Sequence, residues 1–180
     1  FTKNYSSLRL IQHQMSSPAS RKTYLVLIDG ELSVSPTIID LRLSTTRMGG
    51  EKRTVVASDG KHASTKLTEL ETFGDLSLVR AQIATGRTHQ IRVHAASAGH
   101  AIAGDKRYGD RTLNEKLRRR GLYRMFLHAH SITLRPGRDL NPITLEAWDY
   151  SSKSLGTLKS LHRSCPSLWP NSKVITRRKD

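Results

Sequence analysis

The amino-acid pattern predicts an α+β fold, built on a mostly antiparallel, mixed sheet with flanking helices. Strand-like runs outnumber helical ones, and the two do not alternate as βαβ units would. Most runs also stop at turns containing Gly or Pro. The 180 residues divide into a domain over 1–150 and a helix with a basic, partly disordered tail over 151–180. An apolar fraction of 36% is low for a compact fold, in keeping with an exposed tail.

In chain order, Tyr5, Leu8, Ile11 and Met15 recur at steps of three and four, predicting an amphipathic helix over Lys3–Met15 that Ser16-Ser17-Pro18 ends. Thr23–Asp29 is rich in strand formers and stops at Asp29-Gly30. Ile38–Leu43 is a weaker strand. Gly49-Gly50 marks a loop before Arg53–Ala57, and Asp59-Gly60 reads as a hairpin turn. Ala63–Thr72 and Leu76–Ala84 are strands joined at Phe73-Gly74-Asp75. Thr88 is a candidate N-cap for a helix that Gly99 stops. Asp105–Asp110 is a loop, Leu113–Arg120 a short basic helix ending at Gly121, and Phe126–Arg135 and Ile143–Trp148 strands around Pro136-Gly137. Leu155, Leu158 and Leu161 could line a short helix, and Cys165–Asp180 reads as a mobile tail.

Thirty Lys and Arg against 15 Asp and Glu leave a formal charge of +15, which favours a polyanionic partner. Residues 1–90 carry a net +4 and residues 91–180 a net +11, so the footprint should lie mainly in the second half. Without a long basic amphipathic stretch or a lipidation signal, nucleic acid is favoured over membrane. Cys165 is the one cysteine, so neither an intrachain disulfide nor a thiolate metal cluster can form, as suits a reducing, cytoplasmic setting.

The densest chemistry lies in Thr85–His94, where a strand ends in a Gly turn and a helix begins. Free N–H groups at such a start suit a phosphate or carboxylate. Arg87 sits at that mouth, and Arg92, one turn in, can offer a planar fork to a carboxylate. A surface helix with ordinary basic residues fits the spacing equally well. His89, His94, His128 and His130 do not make a convincing metal site, because His89 and His94 are misaligned on a helix and no HExxH or Cys ligand joins them. They read as structural hydrogen-bonders or RNA contacts. No nucleophile elbow, P-loop or dinucleotide fingerprint occurs. Asp105 and Asp110 read better as turn caps than as a carboxylate pair.

Gly86-Arg87-Thr88-His89-Gln90-Ile91-Arg92-Val93-His94, Gly99–Asp105 and Tyr108-Gly109-Asp110 together closely resemble the signature of RluA/RluC-type RNA pseudouridine synthases. Lys22-Thr23-Tyr24, Gly60–Thr65 and Phe126-Leu127-His128-Ala129 continue the resemblance in the same order, and Tyr108–Ala129 is most similar to the branch acting on large-subunit ribosomal RNA.

The resemblance implies a cofactor-free isomerase, a monomer that converts uridine to pseudouridine in structured, ribosomal RNA. It implies that Tyr24 sits against the target uracil, that Leu127 lines its pocket, and that Arg92 pairs with the catalytic aspartate. A flipped base needs such an apolar, stacking pocket. Lys22, Lys61, Arg87, His89, Lys106, Arg107 and Arg111 are the expected RNA contacts, with cations on phosphates positioning the RNA. Without the family, Tyr24 is simply a half-buried aromatic. One departure matters: the family's His-Arg-Leu-Asp-x-x-Thr-Ser-Gly block is missing, and Ala101 stands where proline is common. The block normally precedes the helix at Lys3–Met15, and the chain does not begin with Met, so truncation is the expectation and the 180 residues alone should be inactive. An S4-like domain commonly precedes such chains. The alternative is a synthase-like RNA-binding or ribosome-assembly protein that has lost its chemistry.

Overall fold

The computed structural model describes residues 4–135 and 141–147. Helix α1 (Tyr5–Ser16) leads into strand β1 (Arg21–Asp29). Strands β2 (Thr37–Met48), β3 (Glu51–Val56), β4 (Lys61–Phe73) and β5 (Leu76–Ile83) follow. Then come helices α2 (Gln90–Ser97) and α3 (Arg111–Arg119) and strands β6 (Leu127–Leu134) and β7 (Ile143–Glu146). The strands form one sheet in the order β3-β2-β4-β5-β1-β6-β7. Every pair among them is antiparallel, so the sheet is less mixed than the sequence suggests.

The centre of the sheet explains the sequence of β1. Tyr24, Val26 and Ile28 point to one face, against Val79, Ala81 and Ile83 of β5 and Ile91 and Ala95 of α2. Leu25 and Leu27 point to the other, against Leu76, Leu78, Phe126 and Leu117 of α3. A strand covered on both faces reads as a continuous apolar run, as Tyr24–Ile28 does. Fully burying a side chain such as Leu27 or Ile28 contributes roughly 1.5–3 kcal/mol. Helices α2 and α3 thus cover opposite faces.

Two turns differ from expectation. Gly49 and Gly50, both at positive φ, form a two-residue hairpin that pairs Met48 with Glu51. Asp59-Gly60 does not join paired strands, because β2 lies between β3 and β4. The chain instead crosses β2 at Leu43, whose backbone lies 2.5 Å from where a Gly60 Cβ would stand. The reading of Asp59-Gly60 as a hairpin turn is corrected on that ground.

Helix α1 is capped by the Asn4 side chain, which accepts from the Ser7 N–H at 2.8 Å. It buries none of its residues, and Tyr5, Leu8, Ile11 and Met15 all remain exposed. Helix α3 starts at the Asp110 cap, whose Oδ1 accepts from the Leu113 N–H at 2.6 Å, and ends at Gly121 with φ 95°. No described helix is long and apolar enough to cross a membrane. The Pro136-Gly137 turn, Trp148, the 155–161 helix and the Cys165–Asp180 tail fall outside the described residues.

Candidate active site

A cavity of about 320 Å³ opens where the first half of β1, the end of β5, the start of α2 and the start of β6 converge. Tyr24, Ile83, His89, Arg92, Met125 and Leu127 line it. Tyr24 faces it because alternate β1 side chains share a face, and Tyr24 pairs in register with Ala81 and Ala129. Burial raises the pKa of the Tyr24 phenol, so it stays protonated. Val26 and Ile28, on the same face, anchor the floor in the core.

The start of α2 is built differently from the sequence expectation. Thr88 is not its cap. His89 occupies that position in the left-handed region, at φ 53° and ψ 20°, with no capping bond from its side chain. The Gln90 side chain takes over the capping role from inside the helix. Its Oε1 accepts from the Arg87 N–H (3.1 Å) and the Thr85 hydroxyl (2.8 Å). Its Nε2 donates to Ser64 O (3.0 Å) and Thr65 Oγ1 (3.1 Å) on β4. A buried amide satisfied at both ends fixes the helix mouth against the sheet.

From that fixed start Arg92 projects into the cavity and forms a two-pronged ion pair with Asp105. Nε lies 2.7 Å from Oδ2 and Nη2 lies 2.8 Å from Oδ1. The Asp105 side chain is fully buried, and Oδ1 also accepts from the backbone N–H groups of Arg107 (2.9 Å) and Tyr108 (3.1 Å). Burial by itself would raise the Asp105 pKa. The Arg92 bonds and the two amides outweigh it and hold the carboxyl below its usual range. Arg92 is raised, first by its bonds to Asp105 and against the opposing effect of burial. Its guanidinium also stacks 4.8 Å from the ring centre of Tyr108. Asp105 therefore caps its turn, as its residue type suggests, and is in addition the carboxylate that Arg92 meets within this chain. Asp110 is a cap alone.

The remaining predicted residues disperse. Lys22, whose pKa burial lowers, donates to the Met15 carbonyl at 2.7 Å and so ties down the end of α1. Arg87 lines the cavity and also shares a neighbouring one of about 430 Å³ with Lys61. Its Nε donates to His62 O at 3.3 Å. Arg107 is committed to β3, bonding Glu51 at 2.5 Å and Lys52 O at 2.9 Å. Arg111 pairs with Glu115 on α3, on the far face of the sheet, and Lys106 is exposed. His89 lines the cavity with Nδ1 3.0 Å from Tyr108 Oη. His94 is wholly buried in α2, and neither ring nitrogen has a hydrogen-bond partner among the described residues, where the expected structural hydrogen bond is not found. Burial lowers its pKa and keeps the ring neutral. His128 and His130 stand two apart on β6.

Sequence reasoning missed Gln90, Tyr108 and the pairing of Asp105 with Arg92. The single local signal was Asp105 itself, an acid in a turn between two glycines. Gly104, at φ 79°, and Gly109 each pass so close to backbone, that of Arg124 and Asp105 respectively, that a Cβ would collide. They fold the loop back under Arg92. A larger cavity, of about 670 Å³, lies at the other end of β1 between Asp29, Asp75, Asp110 and α3. The Asp29 pKa is raised there, by burial and then by Asp110 and Asp75.

A family model described as RNA pseudouridylate synthase matches residues 1–97. Among curated proteins, the ribosomal large subunit pseudouridine synthase C of Haemophilus ducreyi is 40% identical over 131 residues, covering 72% of this chain and 41% of that protein. The protein of the same name from Yersinia pestis is 41% identical over 131 residues, with the same coverage. The chain thus spans about two fifths of the length of the curated relatives it matches. Among solved structures, human RNA pseudouridylate synthase domain containing 1 superposes with a TM-score of 0.68 at 24% identity, covering 93% of this chain and 74% of that one. Human RNA pseudouridylate synthase domain containing 4 gives 0.68 at 20% identity, covering 88% and 69%. These two likenesses establish a shared fold, and with the family match they lead to one assignment. The chain belongs to the RNA pseudouridylate synthase family.

Proposed function

We propose that these residues are the uracil-pocket part of a monomeric, cytoplasmic pseudouridine synthase that isomerises uridine in large-subunit ribosomal RNA. The observation that carries this reading is the convergence of Tyr24, Arg92 and Leu127, from three separated stretches, on one cavity. In the proposed reaction the C1′–N1 bond of a flipped uridine breaks, the uracil turns in the pocket, and C1′–C5 forms. The C5 proton leaves and N1 gains one, so no cofactor is consumed. Tyr24 and Leu127 offer the base an aromatic and an aliphatic surface once it has left its stack. The reaction also needs a nucleophilic carboxylate, and no His-Arg-Leu-Asp-x-x-Thr-Ser-Gly block occurs among these 180 residues. Asp105 takes one hydrogen of Nε and one of Nη2 of Arg92, which leaves both hydrogens of Nη1 and the second of Nη2 for that carboxylate. Arg87, which lines the cavity, with Lys22 and Lys61 holds the RNA backbone, while Arg107 and Arg111, each engaged by a glutamate, contribute less, and exposed Lys106 adds a further contact.

The test uses the full-length protein and ribosomal RNA transcripts carrying uridine tritiated at C5. Tritium release is expected from the parent, while Arg92→Ala binds RNA almost as well and turns over orders of magnitude more slowly. Equal rates for Arg92→Ala and parent would sink the role given to Arg92. RNA binding by the full-length parent without any release would favour an RNA-binding or ribosome-assembly protein instead.

A further inference from the structure

Three groups meet at the side chain of Tyr108. The backbone N–H of Thr54 on β3 donates to Oη at 3.1 Å. Nδ1 of His89 lies 3.0 Å from the same oxygen, and the Arg92 guanidinium stacks on the ring. The direction of the first bond is certain, since a backbone N–H can only donate. Oη then has one hydrogen left to place. Among the described residues, His89 Nδ1 is the acceptor within reach of it. If Nδ1 carried a hydrogen, two donors would face Oη and the phenolic hydrogen would have no protein acceptor. The arrangement that satisfies all three atoms runs Thr54 N–H to Oη, then Oη–H to Nδ1. A neutral imidazole that accepts at Nδ1 carries its hydrogen on Nε2.

The backbone that carries each ring is constrained. The Tyr108 N–H is bonded to Asp105 Oδ1 at 3.1 Å, and Gly109 lies too close to the Asp105 carbonyl to carry a Cβ. His89 sits in the left-handed region, a conformation that a non-glycine residue keeps only where its surroundings enforce it. His89 nevertheless lines the cavity beside Tyr24 and Leu127.

We propose that Tyr108 is a positioning residue that holds His89 with its hydrogen on Nε2, so that the pocket presents a hydrogen-bond donor to an acceptor oxygen of the RNA. The acceptor is either a uracil carbonyl or a phosphate oxygen. This rests on the synthase reading for its substrate, but the tautomer itself does not.

The charges around His89 agree. Burial lowers its pKa first, Arg92 of α2 and Arg107 of the following loop lower it further, and Asp105 opposes them. Arg87, before α2, adds a cation to the same cavity, and Tyr24, across it on β1, stays protonated. With its folded pKa depressed, His89 is neutral above that pKa; as pH falls through it, Nδ1 gains a hydrogen and no longer accepts from Tyr108, while Nε2 keeps its own.

The decisive measurement is 15N NMR of the full-length protein, with the His89 ring nitrogens assigned. The expected result is an unprotonated Nδ1 and a protonated Nε2 in the parent. In Tyr108→Phe the tautomers should mix and the titration midpoint should rise toward that of free histidine. Nδ1–H in the parent, or a tautomer and midpoint indifferent to Tyr108→Phe, would overturn the proposal. These readouts need no turnover, so they stand or fall separately from the synthase reading. If Tyr108→Phe does not fold, the tautomer in the parent decides.

Kinetics then test the donor. Tyr108→Phe should lower kcat roughly fivefold, the worth of one ordinary hydrogen bond, with KM nearly constant. His89→Gln, which places an amide nitrogen where Nε2 stands, should keep most of the rate that His89→Ala loses, and equal loss in both would count against a donor role. RNAs with sulfur replacing a uracil carbonyl oxygen or a phosphate oxygen separate the two sources. The substitution that slows the parent but not His89→Ala marks the acceptor, and no such dependence for either would refute the donor.

Discussion

Two arginine–carboxylate pairs in this chain have the same chemistry and opposite settings. Arg92 and Asp105 have side-chain exposures of 17% and 0%, thirteen residues apart and joined by two bonds of 2.7 and 2.8 Å. Arg111 and Glu115 have exposures of 93% and 58%, one helical turn apart and joined by one bond of 3.1 Å. Water and salt can replace either partner of the second pair. Nothing replaces Arg92 for a carboxylate from which water is excluded. The difference shows that the worth of an ion pair here lies in what each group faces when its partner is removed.

The largest expected effect therefore comes from Arg92→Ala, which leaves Asp105 charged and buried. Urea unfolding of the full-length protein should show a loss of about 3–5 kcal/mol, beside the lost turnover. A loss no larger than that of a surface substitution would break the comparison. Asp105→Asn should cost less, about 1.5–3 kcal/mol, because the released guanidinium is partly exposed and can rehydrate. If it costs more than Arg92→Ala, the asymmetry assigned to the pair is wrong.

The acid limb of stability sharpens the contrast. The folded pKa of Asp105 is depressed, so its contribution is fully present above the unfolded value of about 3.9. It is lost as pH falls through the lower, folded pKa. Stability measured across that window should decline less steeply in Asp105→Asn than in the parent, and parallel curves would count against the linkage. Smallest of all, Arg111→Ala should change stability by less than about 0.5 kcal/mol, a difference that 1 M salt erases.

The sequence was most legible where the backbone answers to near neighbours. Thr23–Ile28, the turns at Gly74 and Gly99, the cap at Asp110 and the stop at Gly121 all lie where the residue types place them. Each depends on contacts within a few residues. The cap at Thr88 was misread because Gln90, two residues later, bonds the same turn while anchored on β4, a strand twenty-five residues away. Asp59-Gly60 was misread because a hairpin turn and a crossing over another strand call for the same glycine. Tyr24, Arg92 and Leu127 were identifiable as residues through family resemblance, but no periodicity in the chain joins them.

By itself the sequence determined the strand-rich class, the basic character and the blocks of the pseudouridylate synthase family, since composition and short-range spacing carry all three. Only the tertiary structure decided that Arg92 meets Asp105, that His89 begins α2 in the left-handed region, and that Tyr108 stands between them. Those outcomes depend on the path by which residues 99–109 return beneath α2. A side chain senses so distant a partner only after sheet and helix have packed and closed the site to water.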